Sequence, residues 1–192
     1  MNKATLEKIR RALKNSLHQT DKKRTPRRIP SAVLIPLLER DKELHLLFIR
    51  KVDGPYHHSG QVSFPGGAYE EKDPDLLATA LRETWEEVGA SPENWEILGK
   101  LEPVDTLGSP YTIHPFVASL LKSIEFTVCE KEVDCIFTVP LRYILQLHPF
   151  PIQDFPWKGK AYKTFLIRYE NQVIWGATAR ILDAFCNLLK QR

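Results

Sequence analysis

Hydrophobic positions along this chain switch period several times, and each switch marks an expected element. Residues 32–38 (Ala-Val-Leu-Ile-Pro-Leu-Leu) and 44–50 (Leu-His-Leu-Leu-Phe-Ile-Arg) are apolar runs of strand length on either side of the polar turn 39–43, a hairpin pattern. Pro36 has no N–H to give to a ladder, so the first strand is expected to bulge or to lie partly at an edge. Residues 61–64 also read as strand, closed by Pro65. Further strands are expected at 95–101, 113–121, 125–129, 133–139, 163–169 and 173–175. Helical spacing takes over in residues 4–17, with Leu6, Ile9, Leu13 and Leu17, and again in residues 77–88. It returns in residues 177–190, where Ala177, Ile181, Leu182, Phe185, Leu188 and Leu189 lie along one side. Strands, an embedded helix, more strands and a terminal helix make an α/β chain, a mixed sheet with helices on its faces.

The middle helix carries the chemistry. At about 100° per residue, Glu83, Glu86 and Glu87 fall within an arc of about 100°, while Leu77, Ala80, Leu81, Thr84, Trp85 and Val88 take much of the rest. One face is therefore expected to be buried and the other acidic. Most charge runs simply face water, but context argues for more here. Like charges at i and i+4 cost a few tenths of a kcal/mol on an open surface. The cost rises to about 3 kcal/mol per pair at ~5 Å in a partly buried cleft of effective dielectric about 20. A divalent cation removes that cost, and hard oxygen donors without Cys or His suit magnesium or manganese better than zinc. His57 and His58 lie upstream, but adjacent histidines without a third ligand read as polar loop residues. Ahead of the helix, Phe64-Pro65-Gly66-Gly67 is a turn whose glycines let the backbone approach a ligand or metal.

Gly67, Asp73 and the run Arg82-Glu83-Thr84-Trp85-Glu86-Glu87-Val88-Gly89-Ala90 together resemble the Nudix box, G-x5-E-x7-R-E-U-x-E-E-x-G-U with U aliphatic. Asp73 stands at the first Glu position, the gap from there to Arg82 is one residue longer, and Thr84 replaces an aliphatic residue. The run from His58 to Gly67 (HSGQVSFPGG), followed by Glu70 and by Ala80-Leu81-Arg82-Glu83-Thr84, is similar to the coenzyme A diphosphatase branch, which typically carries those three departures. Residues 110–117, 132–141 and 174–182 look like later landmarks of that branch, so the likeness spans roughly 31–190. Between Arg50 and Gly60, where the branch usually has a further arginine, this chain has Lys51-Val52-Asp53-Gly54-Pro55-Tyr56-His57.

The resemblance implies an α/β/α sandwich with a mixed β-sheet. It implies a metal-dependent hydrolase that splits the pyrophosphate of coenzyme A, or of an acyl-CoA, into 3′,5′-ADP and 4′-phosphopantetheine or its acyl form. It implies Mg2+ or Mn2+ as cofactor, Glu83 and Glu87 as ligands, Glu86 as a third ligand or a base acting through water, and the Gly67 carbonyl as a further donor. A downstream loop Glu positions the water in some Nudix enzymes, and Glu132 is the candidate here. Arg82, four residues before Glu86, reads as an orienting ion pair or a substrate contact. For the 3′-phosphate and adenine, Arg50, Lys51, His57, Lys158 and Lys160 are available cations, Gly66 and Gly67 offer backbone, and Tyr56, Trp157 and Tyr162 are stacking partners. Two further readings stay open: hydrolysis of ADP-ribose or another nucleoside diphosphate derivative, and a non-catalytic ligand-binding module of the same fold.

Composition narrows the setting. The 192 residues, 43% hydrophobic and 27% charged, suit one domain with a full core. A net charge of +3 helps attract a small anion without implying a nucleic-acid partner, and no apolar run approaches the ~20 residues of an integral membrane segment. Cys129, Cys135 and Cys186 have neither an even count nor metal spacing, which points to a reducing, cytoplasmic location. Residues 1–28 carry ten Lys or Arg against Glu7 and Asp21. Residues 1–30 therefore read as a basic helix and linker ahead of the hydrolase domain, 31–192. That helix docks on the domain, meets a membrane surface or acidic partner, or serves as a transit peptide. The expected partner is a small-molecule substrate, coenzyme A or its ester, and a homodimer is compatible with the sequence.

Overall fold

Strand β1 (Ile29–Arg40) is the spine of the molecule. Its side chains alternate between two cores: Val33, Ile35 and Leu37 join one cluster, Ala32, Leu34 and Leu38 the other. Burial on both faces is why this stretch is continuously apolar instead of alternating with polar residues. The computed structural model describes residues 2–14, 16–18, 28–53 and 60–190. The expected linker 19–27, and Tyr56, His57 and His58, lie outside the described residues.

Strand β2 (Glu43–Lys51) returns antiparallel from the turn at Asp41 and Lys42. It pairs with β3 (Val62–Ser63) further on, and with β8 (Val133–Pro140) along its opposite edge. On the far side of β1 runs β7 (Tyr111–Leu120), in parallel, followed by β5 (Trp95–Lys100) and β6 (Val104–Asp105), both antiparallel to β7. The short β4 (Gly66–Ala68) pairs with the start of β1, Ala32 opposite Gly67. Among the described residues this makes an eight-stranded mixed sheet.

Helix α2 (Leu76–Val88) covers one face, contributing Ala80 and Val88 to its core. The other face receives α1 (Asn2–Leu13), α3 (Leu141–Leu147) and α4 (Gly176–Lys190), through residues such as Ile9, Ile144, Ile181 and Phe185. The architecture is the expected α/β/α sandwich. A second, three-stranded sheet of β9 (Ile152–Trp157), β10 (Lys160–Tyr169) and β11 (Gln172–Trp175) sits beside it.

One expectation holds locally and two are corrected. β1 is central in the sheet, but at Pro36 one of its sides is a local edge, because β1 changes partner there, from β4 at Ser31–Val33 to β2 at Leu37–Arg40. Leu34 still donates to Pro65 O at 2.9 Å on that side, so the alternation of the strand places the missing Pro36 donor in the gap between the two partners. Residues 125–129 form no strand. Thr127 and Cys129 donate instead to Val88 O (3.0 Å) and Glu87 O (3.2 Å), carbonyls that the end of α2 leaves free. Ile124, Phe126 and Val128 do alternate inward, onto the core under α2, so the period of two is real but its partner is a helix end. The second correction is the N-terminal helix, which ends at Leu13, before a separate turn at Ser16–His18.

That helix is docked. Ile9 and Leu13 are fully buried in the α4-side core, Arg10 makes a two-pronged bond to Glu96 (3.1 and 2.6 Å), and Lys100 N donates to Ser16 Oγ at 2.9 Å. Among the described residues no helix is long and apolar enough to cross a membrane.

Candidate active site

Helix α2 starts where the Asp75 carboxylate accepts a hydrogen bond from Ala78 N at 2.8 Å, and it ends at Gly89 in the left-handed region. Between these caps the buried arc is centred on Ala80, Thr84 and Val88. Thr84 fits a place expected to be aliphatic because its hydroxyl donates back to Ala80 O at 2.7 Å. The arc does not divide as expected: Trp85 is 56% exposed, whereas Glu87 is 1% exposed. At about 100° per residue Glu87 lies only about 60° from Thr84 and Trp85 about 100° away on the other side, so the acid is carried under and the indole out.

Glu87 is therefore a buried carboxylate with both oxygens engaged. Oε2 accepts from Gly66 N at 2.8 Å and Oε1 from the Lys51 ammonium at 2.6 Å. Burial pushes the Glu87 carboxyl up, with Lys51 acting against the shift. Burial also disfavours charge on Lys51, but Glu87, Glu83 and Glu132 outweigh it and raise its pKa. Glu83 lies one turn earlier, and its pKa too is raised by burial, against the pull of Arg82.

Two glycines permit this approach. Gly66 has φ 151°, and a Cβ there would strike Ala32 O and the Val33 backbone. A Cβ on Gly67 would run into all three atoms of the Glu83 carboxylate, so any larger residue there requires that side chain to move from its place beside β4.

Arg82 ties the box together. Its guanidinium takes Asp73 with two bonds, 2.8 and 3.0 Å, and reaches Glu83 and Glu86 at 2.9 Å each and Ala68 O at 3.3 Å. The bond from Arg82 holds the Asp73 carboxyl well below the usual range, helped by Glu70 N and the Thr79 hydroxyl, and the same pairing raises Arg82. Asp73 thus anchors Arg82, which explains a carboxylate at that position. Glu86 turns outward, its side chain 51% exposed.

A cavity of about 690 Å3 opens beside the Gly66–Gly67 turn, and Glu83, Glu86 and Glu87 are not among its lining residues. Lys51, Gly66, Gly67 and Glu132 line it, as do Tyr111, Tyr162 and Trp175. Glu132 precedes β8 and is exposed. Arg50 is not among the lining residues: it sits on the opposite face of β2 from Lys51, paired with Asp134 at 2.6 Å and Gln172 at 3.4 Å. Lys158, Lys160 and Trp157 are likewise absent from the wall, and His57 is outside the described residues. Sequence reasoning left Tyr111, Lys131 and Trp175 without a role at the cavity. Only Trp175 had a local signal, a large aromatic beside a strand-ending glycine.

Among the described residues, no three acidic, histidine or cysteine side chains already converge on one point. The three glutamates share an arc of the helix, but burial separates them: Glu87 inside, Glu86 out, Glu83 between. Glu83 and Glu87 nonetheless offer hard oxygen donors beside bare Gly67 backbone, and a cation, the Lys51 ammonium, already sits against Glu87. That donor set fits magnesium or manganese. The cysteines are free thiols, with Cys186 buried and its pKa pushed up to about 12 by burial.

Residues 28–160 match the family model described as the NUDIX domain. A protein from Enterobacter sp. (strain 638), described as uncharacterized Nudix hydrolase NudL, is 38% identical over 155 residues, 79% of this chain and 78% of that one. Among solved structures, a MutT/nudix family protein from Enterococcus faecalis superposes with TM-score 0.53 at 14% identity, over 90% of this chain and 66% of its own. A C. elegans Ap4A hydrolase binary complex gives 0.51 at 17%, over 64% and 87%. At these identities the structures establish a shared fold.

Proposed function

This chain belongs to the Nudix hydrolase family, and on that premise we propose that it is a magnesium- or manganese-dependent diphosphatase that hydrolyses coenzyme A or its thioesters. The observation that carries this reading is the meeting of Glu83, Glu87 and the bare Gly66–Gly67 backbone behind the wall of a cavity of about 690 Å3. That volume is of the order of small-ligand pockets, which run from about 300 to 1,000 Å3. Tyr111, Tyr162 and Trp175 supply rings on which a base can stack. The likeness of residues 58–67 and 110–117 to the coenzyme A diphosphatase branch favours this substrate over other nucleoside diphosphate derivatives.

Glu83, Glu87 and the Gly67 carbonyl would hold the cation, with Glu86 available through water. Bound there, a divalent cation supplies positive charge against the diphosphate oxygens. Arg82 keeps Glu83 oriented through its bond at 2.9 Å, and Asp73 keeps Arg82 in place. Glu132, at the cavity, takes a proton from the attacking water. The water oxygen bonds to one phosphorus as the bridging P–O bond breaks, giving 3′,5′-ADP and 4′-phosphopantetheine or its acyl form.

The test is turnover of coenzyme A, dephospho-CoA, ADP-ribose and dinucleoside polyphosphates by the purified chain with Mg2+ or Mn2+. Coenzyme A is expected to be preferred, with dephospho-CoA poorer for want of the 3′-phosphate. Glu83→Gln and Glu87→Gln are each expected to lower kcat at least ~100-fold with folding retained. A preference for ADP-ribose would replace the substrate, and rates unchanged in both variants would leave a ligand-binding module.

A further inference from the structure

Lys51 ends β2 on the face that looks onto α2, while Arg50 beside it faces the other way and is occupied with Asp134 and Gln172. The Lys51 ammonium stands 2.6 Å from Glu87 Oε1 and its side chain lines the cavity. The other Glu87 oxygen is taken by Gly66 N at 2.8 Å. Glu87, 1% exposed, has no bulk water to fall back on, so its charge depends on these two donors.

The two cations at this acidic centre differ in kind. Arg82 is pinned by bonds to Asp73, Glu83, Glu86 and Ala68 O and cannot leave without breaking all of them. Lys51 is a compact charge on a flexible four-carbon stem, with Glu87 as its hydrogen-bond partner and the cavity in front of it. A divalent ion bound at Glu87 would meet the ammonium within a few ångströms, and like charges so close in a site shielded from water repel strongly.

Resting on the metal-dependent reading above, we propose that Lys51 is a tethered counter-ion for Glu87, holding the position of the divalent cation and leaving Glu87 when that cation binds. The acidic pocket is thereby charge-balanced before loading. The released ammonium enters the cavity that takes the diphosphate, so cation and substrate binding support each other. Lys51 is then a positioning residue with two stations, Glu87 before loading and the phosphate oxygens after it.

The experiment is a Mn2+ titration of the full chain without substrate, free Mn2+ being read by electron paramagnetic resonance, for the wild type, Lys51→Met, Lys51→Arg and Glu83→Gln. Lys51→Met is expected to bind Mn2+ about 10-fold more tightly than the wild type, since a competing charge is gone. Lys51→Arg, which keeps the charge, is expected to bind no more tightly. Melting in EDTA should be lower for Lys51→Met than for the wild type, and Mn2+ should raise it by more. At saturating Mn2+ the same variant should show a higher KM for the diphosphate substrate. Lys51→Gln, which retains a hydrogen-bond donor for Glu87, carries the same comparison if Lys51→Met folds poorly. Equal Mn2+ affinity in wild type, Lys51→Met and Lys51→Gln, alongside loss in Glu83→Gln, would overturn the counter-ion role and leave the metal site standing. No Mn2+ binding by any form, wild type included, would overturn the metal-dependent reading itself.

Discussion

Asp73 makes two bonds to Arg82, at 2.8 and 3.0 Å, and both side chains are largely buried. Its pKa is depressed below that of the unfolded chain, so its contribution is fully present above the ordinary aspartate value of about 3.9 and is lost as pH falls below it. Asp73→Asn leaves the guanidinium short of one charged partner, and a loss of about 3 kcal/mol at neutral pH is expected. Urea denaturation of variant and wild type should show that gap steady from pH 7 to about 5 and closing below about pH 4. A gap independent of pH would mean that the carboxylate charge is not what matters. Thr84 is satisfied by Ala80 O within its own helix, so a polar atom is buried there at little cost.

Element by element, α2 and its surroundings show how a correct period can be assigned the wrong partner. The sequence spacing places Trp85 with the apolar residues, but the sheet reaches only the arc around Ala80, Thr84 and Val88, and the indole is left in solvent. Trp85→Ala is therefore expected to change stability by less than about 0.5 kcal/mol in thermal or chemical denaturation, unlike a core aromatic, whose truncation costs about 3–5 kcal/mol. A loss in the upper range would place the ring in a contact that the exposed face lacks. Residues 125–129 follow the same logic: their alternation is that of a strand, but their N–H groups meet helix carbonyls at Val88 and Glu87. They close the end of the helix that bears Glu87.

Across the molecule, the basic N-terminal helix and the acidic centre belong to different layers. α1 buries Ile9 and Leu13 in the α4-side core and is fixed to β5 by Arg10 and Glu96, while Glu83 and Glu87 sit on the α2 side of the sheet. Leu13→Ala is expected to cost about 2–5 kcal/mol in unfolding free energy with kcat of the folded enzyme unchanged. A parallel loss of kcat in fully folded protein would connect the two layers. Periodicity and turn chemistry are local properties of the chain, and they sufficed for a mixed sheet with helices on its faces, the glutamates of the middle helix and the glycine turn ahead of it, while the sandwich followed from the family resemblance. The sequence also singled out Arg82 with Glu86 as its ion-pair partner, which meet at 2.9 Å, and Lys51 and Glu132 without partners. Long-range packing is what puts Glu87 under and Glu86 out, brings Lys51 to Glu87 while Arg50 turns away, and sets Tyr111 and Trp175 in one wall with Gly67. Those outcomes depend on strand register and on which arc of a helix the sheet covers, and both are set by contacts between residues far apart in the chain.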